Sequence, residues 1–268
     1  MKLFDLTGEV AVVIGATGVI GGAIAEGMAE AGARVALLAR SRETGEARAQ
    51  AIRDRGGEAA YFSASATDAV HLREACAAVE SRFGPVSVLV NCAGGNDPES
   101  TVSAENPFEK IPLEAWMANY NLNFVGGALL PCQVFGPGML ARGRGSVIHI
   151  ASVSAHLPLS RVVSYSAAKA AVLNFSMFLA REWAPKGVRV NTITPGFFPA
   201  GQNKKLLFKE DGSPSERTRA IWGHTPMGRF GEASELVGAA IFLASEKASS
   251  FVTGADLRVD GGFLCQTI

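Results

Sequence analysis

Short apolar runs alternate with longer amphipathic stretches along the whole chain. EVAVVIG, ARVALLA, EAAYFS, VSVLVN, GSVIHIA, VRVNTITPG and ADLRVDGG are strand-sized and end in Gly, Pro, Asn or Ser punctuation. Between them IGGAIAEGMAEAG, a charged pattern from Arg42 to Arg55, LREACAAVESRFG, the region Leu113 to Ala141 and YSAAKAAVLNFSMFLAREWAPKG carry helical spacing. Strand and helix repeated in this order predict a doubly wound α/β fold, a parallel sheet with helices on both faces. No repeat of fixed period and no low-complexity linker interrupts it, so residues 1–268 are expected to form one domain. One stretch, Phe197 to Pro226, has neither period. A long irregular loop in a compact domain points to function, and 197–226 is the expected substrate lid.

Composition narrows the class of partner. Hydrophobic residues make up 48% of the 268 and charged residues 19%, enough apolar material for a buried sheet. Lys+Arg and Asp+Glu balance at 25 each, so no basic field points to nucleic acid or acidic lipid. The expected partners are a small-molecule substrate and copies of the same chain. The N-terminal MKLFDLTGEVAVVIG lacks the basic start, apolar core and cleavage site of a signal peptide, and the expected location is cytoplasmic, away from membranes. Cys76, Cys92, Cys132 and Cys265 show neither close pairing nor metal-ligand spacing, so reduced core thiols and no metal site are expected.

Chemistry first enters at GATGVIGG, where the first strand runs into a helix. Glycines let the backbone turn sharply and approach a pyrophosphate, while the amides of the following helix offer unpaired donors and partial positive charge. The backbone of Gly15, Thr17, Gly18, Val19, Ile20 and Gly21 is therefore a candidate dinucleotide cradle. A turn shaped purely for packing is the alternative. The second strand ends at Leu38-Ala39-Arg40, where nucleotide-binding folds often carry an acid for the adenosine ribose. An arginine there can instead pair with a 2′-phosphate, which favours NADP over NAD. Arg40 stacked on adenine, or simply solvated, is the other reading.

In YSAAK, Tyr165 and Lys169 stand four residues apart, about one helical turn, so both project from one face. Taken alone this is chemistry or coincidence. The surrounding set decides: the glycine turn, NCAG at Asn91 to Gly94, NFVG at Asn123 to Gly126, Ser152 thirteen residues before Tyr165, PG at Pro195 and Gly196, and VDGG near the end. In that order the chain resembles the short-chain dehydrogenase/reductase family over nearly its whole length. The resemblance implies a single-domain Rossmann-type fold and hydride transfer between a nicotinamide and a carbonyl or secondary alcohol. It implies Tyr165 as proton donor, Lys169 as the charge that eases tyrosine ionisation and holds the nicotinamide ribose, Ser152 on the substrate oxygen, and Asn123 holding a water that links Lys169 to solvent. Asn91, Ala93, Gly94, Pro195 and Gly196 fall on the cofactor side, with Asn91 bracing the end of the fourth strand. The family forms tetramers, so a homotetramer or homodimer is expected, with the apolar face of AAKAAVLNFSMFLA packed either on a second copy or on its own sheet.

The chain departs from the family pattern in details. Val19 stands where the middle glycine belongs, with Gly18 one place earlier; Ser65 in SASATD replaces an acid that contacts adenine; Ala200 replaces a threonine five residues beyond the PG proline. Substrate choice has to come from local sequence, because one scaffold serves many reactions. GGNDP at Gly94 to Pro98, LPLSR ending at Arg161, PGFFPAGQN at Pro195 to Asn203 and HTPMGRFG at His224 to Gly231 resemble the D-mannonate oxidoreductase (fructuronate reductase) subgroup. A sugar acid needs a cation for its carboxylate and polar groups for its hydroxyls. Arg161, Asn96, Gln202 and Asn203 are the expected contacts, with His156, Lys204 and His224 behind them. Reduction of another small ketone or of a 3-oxoacyl thioester is the rival enzyme reading, and a nucleotide-binding sensor or scaffold the non-enzymatic one.

Overall fold

Why the apolar runs are nearly continuous rather than alternating becomes plain in the computed structural model, which describes residues 2–199 and 207–267. They form a seven-stranded sheet, parallel throughout: β1 (Val10–Ile14), β2 (Arg34–Ala39), β3 (Glu58–Ser63), β4 (Val88–Asn91), β5 (Gly145–Ile150), β6 (Val188–Pro195) and β7 (Asp256–Val259), in the order β3-β2-β1-β4-β5-β6-β7. Both faces are covered, so inward and outward residues alike are apolar, as the all-buried β1 VAVVI illustrates. On one face α1 (Val19–Glu30) and α2 (Arg42–Asp54) lay Ile24, Met28, Ala49 and Ile52 over Val13, Val35, Leu37 and Val90. On the other, α3 (Ala69–Phe83) sets Leu72, Val79 and Phe83 against Val12, Ile14, Leu38 and Leu89. Asp68 caps α3 with bonds from the amides of Val70 and His71 at 2.8 and 3.1 Å.

The expected helix from Leu113 is one continuous body to Arg142 built in two registers. α4 (Leu113–Tyr120) and α5 (Leu130–Arg142) are α-helical, and Asn121–Leu129 between them is wound as a π-helix. The wider turns run directly into Pro131, which has no N–H to continue an α-helical ladder. By length and composition this helix could cross a membrane, yet it packs against α3 and the following helix α6 (Val163–Trp183).

The stretch 197–226 is not wholly irregular: α7 (Glu216–His224) occupies its second half, capped by Ser215 and buried through Thr218 and Ile221. An element left unmarked, α8 (Val237–Ala244), completes the first core with Leu236, Ala240 and Leu243. Its eight residues, VGAAIFLA, are apolar all round, so no helical stripe stands out in the sequence.

Candidate active site

The strand order reverses between β1 and β4, and the loops leaving their C-terminal ends bound a crevice. One wall is the glycine turn. Gly15 has φ +81°, and a Cβ there would meet the Ala93 amide nitrogen at 2.8 Å, so the turn lies directly on the strand that leads to Gly94. A Cβ on Gly21 would come within 2.5 Å of the Gly15 carbonyl oxygen. The absent middle glycine at Val19 does not open this turn: Gly18 donates to Gly15 at 3.0 Å and forms the N-cap of α1 with no side-chain cap. Thr17, Gly18, Val19 and Ile20 thus surround an uncapped helix start, the chemistry that suits a pyrophosphate. A Cβ-sized filling of this cradle would collide with backbone, which fits its use by a group that approaches the main chain closely.

Gly15 and Ala16 donate to Leu38 O at 2.9 and 3.4 Å, tying the turn to the end of β2. Arg40 follows immediately, exposed and, among the described residues, without an ion pair, its own carbonyl accepting from Tyr61 at 3.4 Å. Ser65 is hydrogen-bonded with Thr67, and Asp68, three residues on in the chain, is committed to capping α3.

Asn91 ends β4 between Ile14 and His149 in register. Its side chain is 1% exposed, and its amide has no hydrogen-bond partner among the described residues, so the strand end is not braced by that amide. The bracing comes from Asn123. Fully buried in the π-helical stretch, it accepts from Gly95 N at 2.9 Å and donates to Gly95 O at 2.8 Å and Asn119 O at 2.9 Å. Both of its amide hydrogens are thus engaged, while Oδ1 accepts one bond and keeps a second lone pair. A Cβ on Gly94 would lie 2.6 Å from Asn123 Oδ1 and 3.4 Å from Lys169 Nζ, so the loop, Asn123 and Lys169 share one small volume.

α6 carries Tyr165 and Lys169 on one face, with the Lys169 ammonium 5.6 Å from the tyrosine ring centroid. Lys169 is buried and donates to Ile150 O at 2.8 Å, while burial pushes its pKa down to about 8. Burial raises the Tyr165 hydroxyl above its ordinary value, and a hydrogen bond with Ser152 offsets part of that rise. The easing of Tyr165 here thus comes from Ser152. Ser152 caps the turn Val153–Ala155, accepting from Ser154 N at 3.2 Å and Ser154 Oγ at 3.1 Å.

Ser152 and Tyr165 face a cleft of about 1250 Å³, whose walls also hold Asn96, Arg161, Gly196, Phe197, Arg217 and His224. Lys169 and Asn123 stand behind them. Gly196, after Pro195 at the end of β6, packs so closely that a Cβ would sit 2.8 Å from Asp260 Cα. His156 turns away to Asp256 at 3.0 Å and is not among the lining residues. Gln202, Asn203, Lys204 and Ala200 lie outside the described residues. Ser154, Asn119 and Arg217 join the site without having been expected from the sequence. Asn119 precedes Asn123 by one helical turn, a spacing that was available; Ser154 and Arg217 had no local signal.

A nucleotide cradle at the switch point of a parallel sheet, opening onto a cleft with a tyrosine and a serine, defines an NAD(P)-dependent oxidoreductase. Residues 15–264 match the family model described as enoyl-(acyl carrier protein) reductase. The chain belongs to the short-chain dehydrogenase/reductase family. It is 38% identical over 268 residues to the oxidoreductase UxuB of Bacillus subtilis, covering 97% of this chain and 96% of that one. A Haemophilus influenza structure with bound NAD, provisionally named a D-mannonate oxidoreductase, superposes with a TM-score of 0.93 at 36% identity, covering 98% and 97% of the two chains. A gluconate 5-dehydrogenase from Burkholderia cenocepacia in complex with NADP and tartrate gives 0.87 at 33% identity, covering 99% and 98%.

Proposed function

We propose that the protein interconverts a keto sugar acid and its secondary alcohol, with D-fructuronate and D-mannonate as the pair. The observation that carries this reading is one cleft holding Ser152 and Tyr165 together with an arginine, Arg161, and an amide, Asn96. A carbonyl oxygen gains negative charge as its carbon is reduced, and donors already in place stabilise that charge without reorganising. Ser152 donates to this oxygen, and Tyr165 delivers the proton that turns it into a hydroxyl; in the oxidative direction Tyr165 takes that proton back. The nicotinamide, when bound, supplies or accepts the hydride.

Lys169 holds positive charge near the tyrosine and offers its amine to the nicotinamide ribose. Asn123 fixes the Gly94-Gly95 loop against which that ribose packs. The glycine turn takes the pyrophosphate, Ala93, Gly94, Pro195 and Gly196 flank the nicotinamide side, and Arg40 pairs with a 2′-phosphate, favouring NADP. Arg161 takes the substrate carboxylate, with Asn96 and the lid residues Gln202 and Asn203 on the hydroxyls. Support comes from the similarity to a chain provisionally named a D-mannonate oxidoreductase, and from the gluconate enzyme that holds a dicarboxylate, tartrate.

Initial rates with NADPH and NADH against D-fructuronate, D-fructose and a short 3-oxoacyl thioester test the reading. Fructuronate is expected to be the best substrate, with NADPH preferred, and Tyr165→Phe to lower kcat by roughly 10²–10⁴-fold, the usual contribution of a positioned acid. Faster turnover of the thioester would replace the sugar acid with an acyl substrate, and tighter NADH than NADPH binding would remove the role given to Arg40.

A further inference from the structure

The cleft contains a second arginine that the sequence reading did not single out. Arg217 is the second residue of α7 and lines the same cavity as Arg161. The two approach from different sides of the fold. Arg161 belongs to the loop before α6 and is the only non-glycine residue with positive φ among those described, at +78°. That strained backbone is held by the facing loop: Val102 N donates to Arg161 O at 2.8 Å, and Arg161 Nε donates to Val102 O at 3.0 Å. With Nε engaged there, the two terminal amines are the part of the guanidinium left for a ligand. Arg217 is carried by a helix anchored through Thr218, which is buried and donates to Leu207 O.

Neither guanidinium forms an ion pair among the described residues. The two acids on the cleft wall form no ion pair with either. Glu105 is held mainly within its own loop, by its backbone and Ser103, and feels Arg161 only as a smaller attraction without an ion pair, and Glu216, adjacent to Arg217 on α7, diverges from it by about 100° around the helix. Partial withdrawal from water and the positive charge of Arg161 both disfavour the charged form of Arg217, so the two cations feel each other across the cleft. Both side chains reach solvent at the cleft mouth, so their repulsion is modest and screened, and an anion lying between them relieves it. A carboxylate, with two oxygens and about four lone-pair sites, can satisfy two guanidiniums at once.

We propose that Arg217 contacts the substrate carboxylate jointly with Arg161, so that acid recognition is shared between the Arg161 loop and α7. The inference rests on the sugar-acid reading above and sharpens it. A bound acid then links α7 to the opposite wall beside Tyr165, whereas an uncharged ketose leaves the two cations in repulsion. Specificity for the acid comes from both the attraction gained and the repulsion relieved.

D-fructuronate and D-fructose differ at one end, carboxylate against hydroxymethyl, and share the ketone. Their kcat/KM ratio therefore reads the carboxylate contact. Arg217→Ala is expected to lower the fructuronate-to-fructose ratio at least tenfold, mainly through the KM for the acid, and Arg217→Lys to recover part of it. Arg219→Ala removes the same charge from the same helix outside the cleft, and should move the ratio less than twofold. Equal effects of the Arg217 and Arg219 replacements would overturn the contact and leave only a general field. A fall with Arg161→Ala but not with Arg217→Ala would keep the acid substrate and discard the shared site. A wild-type enzyme with no preference for the acid would remove the substrate class and this inference with it.

Discussion

At Lys169 a buried ammonium is kept where it is needed at a cost that varies with pH. Its folded pKa, about 8, lies below the ordinary lysine value of 10.5. Between these values the unfolded chain binds more protons than the folded one, so this residue makes the protein more stable as pH rises from about 8 towards 10.5. Buried thiols act oppositely: Cys76 and Cys92 are raised to about 11 and 12 from 9.0, so their contribution is lost as pH climbs above 9. The lysine is isolated by difference. The stability advantage of Lys169→Met over wild type should shrink between pH 7 and 10 by an amount on the order of 3 kcal/mol, the free-energy equivalent of the shift. Urea unfolding at several pH values measures it, and a constant difference would mean that the ammonium is solvated. The residue types of this site were legible because Ser152, Tyr165 and Lys169 belong to an ordered set of motifs that resembles a known family. The dependence of the tyrosine on Ser152, and of Ser152 on Ser154, was not, since both need the turn Val153–Ala155 to be folded.

Single turns decide how elements meet in the crevice. The β1–α1 turn holds without its middle glycine because Gly15 supplies the left-handed conformation and Gly21 the close contact. Gly21→Ala places a methyl 2.5 Å from the Gly15 carbonyl, which the backbone must move to relieve. It should destabilise the fold by about 1–3 kcal/mol, as overpacking does, and weaken nucleotide affinity more than tenfold. Thermal unfolding with and without NADPH checks both; an unchanged Kd would mean that the turn does not carry the pyrophosphate. The π-helical segment has the same logic. Its glycines, Gly126 and Gly127, let the wide turns lie on the main chain at Ala66 and Ala93, where a Cβ would come to 3.1 and 3.0 Å. The sequence showed a helix there but not its register, since the choice of i−5 over i−4 bonding depends on what the helix packs against.

Across the whole molecule, the outer face of α6 leaves Met177 and Phe178 more than half exposed, and Leu113 and Met117 of neighbouring α4 are open as well. The inner residues of α6, including Val172 and Leu179, are buried. The apolar stretch that had two possible partners is thus divided between its own core and an uncovered face. We propose that a second copy covers that face. Met177→Glu with Phe178→Glu should lower the mass measured by light scattering at micromolar concentration, and an unchanged mass would locate any assembly elsewhere. By itself the sequence determined the parallel α/β architecture, its seven strands with the five helical stretches between the first six, the nucleotide end and the tyrosine–lysine pair. Each of these is a local signal: a period of burial on both faces, a glycine where the chain must turn, two side chains one helical turn apart. What the tertiary structure alone decided lies between segments distant in the chain. Asn123 clamps Gly95, 28 residues away; His156 is withdrawn to Asp256, 100 residues away; and Arg217 is brought to the cleft of Arg161 from a stretch whose sequence suggested only a loop. Such pairings depend on how helices and strands pack in three dimensions, and no period along the chain encodes them.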